Sequence, residues 1–133
     1  MKLSRKSEYA CLALIYLTKH FGEGYIKAVD ISTKEEIPRK YLEQILLILK
    51  RHKIVHSARG AEGGYKLSRK PNQITLAEVI RMMDGALAPV ESVSKYFYEH
   101  TPIEGKKKLL RIFKDIRDTI AHKLETTTLA DIA

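Results

Sequence analysis

The sequence predicts a mainly α chain with a small β-hairpin wing: a winged helix-turn-helix plus a long C-terminal dimerisation helix. Three observations predict it. A short helical pattern, a tight turn and a longer amphipathic helix succeed one another over residues 28–51. A basic, glycine-turned hairpin pattern follows at once, with GAEGGY at 60–65. Residues 104–125 then repeat apolar side chains at helical spacing, far along the chain from the first apolar cluster.

Composition bounds what such a chain does. With 133 residues, 44% of them hydrophobic, it is long enough for one domain with a real core and too apolar to stay disordered. No run of 18 apolar residues is present, so no membrane-spanning helix is expected. The opening MKLSRKSEYACLALIYL is basic and then apolar, like a signal peptide. Glu8 interrupts it, its apolar residues follow a helical pattern, and no small-residue cleavage site follows. It reads as the first helix of a cytoplasmic protein. The net charge of +8 is uneven: residues 1–60 carry 12 Lys/Arg against 6 Asp/Glu, residues 61–133 carry 12 against 10. A basic half points to a polyanionic partner, although charge alone also fits a merely soluble basic protein. The single cysteine, Cys11, makes neither an internal disulfide nor a metal site, and its apolar neighbours favour a buried structural role.

In chain order, Ser7 is expected to cap a helix running to about His20, with Gly22 beyond it. Tyr9, Leu12, Ala13, Tyr16 and Leu17 form its apolar side. Lys2, Arg5 and Lys6 at its start oppose the helix dipole, so either an external anion compensates them or they are simply solvated. Residues 22–27 make a turn leading into a short extended segment. A helix of about seven residues, ending near Lys34, carries Val29 and Ile31. Glu35 and Glu36 form the turn, Ile37 packs inward, and Pro38 starts the next helix. There Tyr41, Leu42, Ile45, Leu46, Ile48 and Leu49 make an apolar stripe. Arg39, Lys40, Glu43 and Gln44 occupy the opposite side near the N-terminus, the part of a recognition helix that reaches base edges. Arg and Lys match guanine, Gln matches adenine, and Glu accepts from cytosine. Glu43 is either such a reader or an i,i+4 partner for a neighbouring cation.

Residues 54–59 read as a strand, Gly60–Gly64 as the turn and Tyr65–Ser68 as the return strand. Glycines at 60, 63 and 64 allow positive φ and close approach of the backbone. They alone would make a tight hairpin. Arg59 beside them, directly after a helix-turn-helix, favours contact with a minor groove or a phosphate. No nucleotide-binding glycine spacing is present. Thr75 caps a helix carrying Leu76, Val79, Ile80 and Met83, closed by Asp84 and Gly85. Residues 86–103 read as an irregular, aromatic-rich linker or sensor segment. Leu109, Phe113, Ile116, Ile120 and Leu124 then recur at steps of 4, 3, 4 and 4. Such a stripe is either a lid on its own domain or half of a dimer seam. The two-fold symmetry of helix-turn-helix operators favours the seam. Residues 126–132 form a capped short turn that can fold back onto the partner.

The segments KLSRKSEYACLAL, YLEQIL, ARGAEGGYKLSRKP, ITLAEVIRMMDG, LAPVE and TTLADI together resemble the Rrf-type family of bacterial winged helix-turn-helix transcription regulators. The resemblance spans nearly the whole chain, and YLEQ with RGxxGGY is its most specific part. It implies a cytoplasmic homodimer whose DNA surface includes Tyr41, Glu43, Gln44, Arg59, Gly60, Gly63 and Gly64. It also exposes a departure. Many members hold an iron–sulfur cluster through three cysteines, whose matching positions here are Ser92, Thr101 and Lys107. Thiolates hold such clusters, and Ser and Thr hydroxyls do not replace them at neutral pH. The resemblance is therefore to the cysteine-lacking branch, which relies on protein or metabolite partners.

The sequence thus leads to a DNA-binding repressor that binds a palindromic operator as a homodimer, without an iron–sulfur cluster and under a regulatory protein or small-molecule effector. The alternatives are an iron–sulfur or other metal-dependent redox sensor of the same family and, from another class, a winged-helix protein-interaction module. No catalytic or metal residue is assigned: His20, His52, His56, His100 and His122 show no ligand spacing, and no nucleophile pattern accompanies them. His100, beside Tyr98 and Glu99, is the histidine placed for ligand or pH sensing. The expected division is residues 1–85 for DNA binding, 86–103 for the linker, and 104–133 for the dimerisation helix and C-terminal turn.

Overall fold

The computed structural model describes all 133 residues. Helix α1 spans Arg5–Lys19, and its cap is Ser4 rather than Ser7: the Ser4 hydroxyl accepts the Ser7 amide at 3.1 Å. Ser7 lies buried in the first turn. The reason is tertiary. Asp84, at the end of α4 (Leu76–Asp84), takes the Ser4 amide at 2.9 Å and the Ser4 hydroxyl on its other oxygen. The chain itself thus supplies a carboxylate to the positive end of α1, where the sequence left an external anion open.

Burial pushes the Asp84 carboxyl upward, but the hydrogen bonds from Ser4 outweigh it and hold it below the usual carboxylate range. A carboxyl depressed in the folded state adds stability above its unfolded pKa, and that stability is lost as pH falls through the folded value. Asp84→Asn is therefore expected to lower the melting temperature at neutral pH, with the gap to the parent narrowing in acid. Melts between pH 7 and pH 3 check this; a constant gap would exclude a titrating tie.

Helix α2 covers Ala28–Glu35 and α3 covers Arg39–Arg51. Between them Glu36 adopts the left-handed conformation (φ 54°), and Ser32 donates its hydroxyl to the Ile37 carbonyl at 2.6 Å. This turn drives Ile37 into the core and aims α3 across α1. Pro38 sits at the cap just before α3, where its missing N–H leaves no bond unmade. Leu42, Ile45, Leu46 and Leu49 of α3 are fully buried with Leu14, Leu17 and Ile31. Truncating such a leucine to alanine typically removes about 2–5 kcal/mol. Tyr41 leaves the expected apolar stripe: it is exposed, and its ring lies 5.9 Å from that of Tyr9.

Strands β1 (Val55–Ala58) and β2 (Gly64–Leu67) pair antiparallel, with Val55 opposite Leu67 and Ala58 opposite Gly64. Gly64 therefore belongs to a strand rather than to the turn. The extended segment after α1 joins them: Ile26 and Tyr65 exchange both backbone hydrogen bonds at 2.7 Å. Thr75 caps α4 as expected, accepting the Glu78 amide at 3.2 Å.

The 86–103 segment is packed rather than loose. Leu87 and Val93 are buried, Arg117 donates to the Val93 carbonyl at 2.8 Å, and the Ser92 and Thr101 hydroxyls bond at 2.6 Å. Helix α5 begins at Lys107, three residues later than expected, and runs to Glu125. Its apolar stripe divides in two. Ile120 and Leu124 pack on a small cluster of Ala77, Ile80 and Leu87, and Arg81 pairs with Glu125 at 2.7 Å. Leu109, Ile112 and Ile116 remain exposed, and Phe113 among them is half-buried.

The C-terminal turn, which by sequence can fold back onto a partner, folds onto its own chain. Helix α6 (Leu129–Ile132) starts in a Thr128–Asp131 capping box. The Leu76 amide donates to Thr127 at 2.9 Å and the Leu129 amide to Ile74 at 3.0 Å. Leu129 is fully buried in the core shared with α1 and α3. The turn is thus continuous with the first 85 residues rather than with α5.

Candidate nucleic-acid interface

Packing the Leu42–Leu49 side of α3 inward fixes what faces out. Arg39, Lys40, Tyr41, Glu43 and Gln44 are all exposed, and Leu47 joins them. Of the two roles open to Glu43, the unbound chain shows the helical one: its carboxylate lies 3.5 Å from the Arg39 guanidinium, with both side chains more than half exposed. A pair so solvated contributes little to stability.

The wing glycines have different duties. Gly60 has φ +97° with open space around it, beside exposed Arg59, and so offers bare backbone at the tip. Gly63 is buried, and a Cβ there would lie 2.3 Å from the Ala58 carbonyl oxygen. At Gly64 the Cβ would lie 2.3 Å from the Ile26 carbonyl oxygen. The latter two shape the hairpin, because neither position has room for a side chain.

Sequence reasoning missed the brace that holds the tip. Lys27, just before α2, donates to the Ala61 carbonyl at 2.8 Å. Its signal was its place beside the extended segment that pairs with β2. Together the brace and the Ile26–Tyr65 pair fix the wing to the start of the helix-turn-helix.

Of the residues assigned to a dimer seam, Leu109 and Ile116 are free, while Ile120 and Leu124 meet α4 of their own chain. In the linker, Tyr98 and His100 both clasp Glu104, whose carboxyl is held below the usual range by the Tyr98 hydroxyl first and by His100 second. Tyr98 and His100 are exposed, and Glu104 is half-buried.

Comparisons with known proteins agree with this geometry. Residues 3–133 match the Rrf2 family, described as an iron-dependent transcriptional regulator. The transcriptional regulator CymR of Bacillus subtilis is 36% identical over 133 residues, covering 100% of this chain and 90% of the relative. IscR of Sodalis glossinidius is 31% identical over 134 residues, covering 99% and 78%. Among solved structures, B. subtilis CymR, described as the global cysteine regulator of that organism, superposes with a TM-score of 0.81. It is 32% identical, over 100% of this chain and 96% of that one. T. potens IscR superposes with a TM-score of 0.78 at 29% identity, over 99% and 85%.

The donor set here does not fit an iron–sulfur cluster. The one thiol, Cys11, sits in α1, where burial and the carboxylates of Asp84 and Glu8 push its pKa up, away from the thiolate form that binds iron. Ser92 and Thr101 engage each other, and no three His, Cys, Asp or Glu side chains converge on a metal position.

Proposed function

The chain belongs to the Rrf2 family of transcriptional regulators, and from that premise we propose that it is a repressor, binding a two-fold symmetric operator as a homodimer in the cytoplasm. It is a DNA-binding transcription regulator and not an enzyme. The observation that carries the finer reading is the exposed polar side of α3 together with the braced wing. The N-terminal turns of α3 enter the major groove, where Arg39, Lys40 and Gln44 meet base edges, and Tyr41 and Glu43 line the approach. Arg59 and the bare backbone at Gly60 follow the adjacent minor groove or phosphates, with Gly63 and Gly64 holding the hairpin in shape. Two copies joined along Leu109, Phe113 and Ile116 present two such heads, and Ile120 and Leu124 couple each head to the seam. Occupying the operator excludes other proteins from that stretch of duplex.

No helix is long and apolar enough to cross a membrane. Because the ligands for a cluster are missing, the signal on this reading is a small molecule or a protein partner.

Selecting binding sites from random duplex DNA and measuring their affinity against salt tests the proposal. Log affinity is expected to fall linearly with log salt concentration. Arg59→Ala should weaken binding and reduce that slope by about one, the signature of a lost phosphate contact. Gln44→Ala should relax base preference at one position of each half-site, at about 1–3 kcal/mol. Failure to recover any two-fold site would remove the operator reading.

A further inference from the structure

Behind the wing, between the end of α1 and β2, lies a groove of about 710 Å³, the size of a small-molecule site. Leu17, Phe21, Ile26 and Leu67 give it an apolar portion. Its polar lining is one-sided: His20, His56, Lys66, Arg69 and Lys70 line it, and no Asp or Glu does. Two of these are engaged elsewhere. His20 contacts Glu23 at 3.3 Å, and Arg69 donates to the Gln73 carbonyl at 2.9 Å and to Glu78 at 2.8 Å. Lys66 rests over the Tyr25 ring at 4.6 Å, a contact that leaves its charge unneutralised. Lys70 is exposed, and His56 sits opposite Lys66 in the hairpin register.

We propose that this groove binds a small multivalent anion, a phosphorylated or polycarboxylate metabolite with an apolar part. The concave shape buries a ligand on several sides. The surplus of cationic and imidazole donors selects negative charge, and hydrogen bonds to such charged groups are the strong ones. The apolar floor gives an organic ligand an advantage over a simple salt ion. Position makes the site regulatory. Lys66 and Leu67 belong to the strand that also carries Tyr65 and Gly64, so a ligand touching them acts on the sheet that orients the wing. The inference rests on the reading of the chain as an effector-controlled regulator and names the chemistry of that effector.

The same donors could instead meet phosphates of the DNA duplex, and the test separates the two sources. Isotope-labelled full-length protein is titrated with pyrophosphate and with citrate, against sodium chloride at matched ionic strength. The expected result is saturable amide shifts confined to the groove, around Phe21, His56, Lys66 and Leu67, and absent with chloride. Shifts that track ionic strength at lysines over the whole surface, or no shifts, would overturn the proposal. Lys66→Gln with Lys70→Gln should weaken anion binding about tenfold or more and leave operator affinity and its salt slope unchanged when no anion is added. A salt slope reduced by about two in that variant would assign the groove to DNA phosphates and equally overturn the proposal. The titration uses no operator, so its failure is distinct from a failure of operator binding.

Discussion

Ile116→Glu is expected to give a folded monomer and to weaken operator binding about 10²–10⁴-fold, the range that separates linked from single binding events. Ile116 is 40% exposed, and Leu109 (40%) and Ile112 (56%) lie on the same helix. Their own chain leaves all three exposed. Ile120 and Leu124, which hold α5 to α4, are left untouched by the substitution. A glutamate there stays solvated in the monomer but would be buried without a partner in a symmetric seam, which opposes association strongly. Sedimentation and gel shift on one sample check both halves of the expectation. A dimer with unchanged operator affinity would mean that the copies meet elsewhere.

Gly64→Ala is the second large effect, and it acts on shape. The added Cβ would lie 2.3 Å from the Ile26 carbonyl oxygen, 2.5 Å from its carbon and 3.0 Å from the Lys27 nitrogen, at a φ of +143°. All three obstacles are backbone, so no side chain can rotate away. The Ile26 segment has to separate from β2 and give up the two 2.7 Å hydrogen bonds at Tyr65. Backbone strain of about 1–3 kcal/mol and roughly 1 kcal/mol for each bond are a large fraction of a typical domain's 5–15 kcal/mol. The expected outcome is a lower urea midpoint together with loss of operator binding, since the wing is no longer braced. Gly60→Ala supplies the contrast. It meets no atom within 4 Å, so its effect is limited to the positive φ of +97°. Equal stability of Gly64→Ala and the parent would contradict the packing described.

The local elements were legible because their signals are local. The short helix, turn and long helix follow from the spacing of Ile31, Ile37, Leu42, Ile45 and Leu49, and the hairpin follows from its glycines and the apolar residues flanking them. What was not legible depends on residues far apart in the chain. Ser4 displaces Ser7 as a cap because Asp84 arrives from α4, 80 positions away. The extended segment at Ile26 reads as two residues of strand until Tyr65 pairs with it. Tyr41 fits an apolar stripe by spacing, yet lies too far round the helix to be covered. The α5 stripe is regular from Leu109 to Leu124, and periodicity alone gives no sign that one half is covered by α4. The linker looked structureless because its order comes from the Ser92–Thr101 bond and from Arg117, not from any repeat. Among the candidate contacts, the exposed side of α3 could be read directly. The separate duties of Gly60, Gly63 and Gly64 required knowing which backbone passes beside each.

The seat of Leu129 has a consequence for synthesis. Strands and helices from the first 85 residues emerge from a ribosome well before residue 129 does, at about 5–20 residues per second. Until it arrives, the core that Leu129 completes is unfilled, and the Leu76 amide and the Ile74 carbonyl have yet to meet Thr127 and Leu129. A chain broken anywhere in α5 therefore displays a complete α3 on an unfinished, apolar body. Cellular proteases act on such open states in proportion to their population. Chains interrupted before residue 129 therefore offer proteases an open core that the full chain closes.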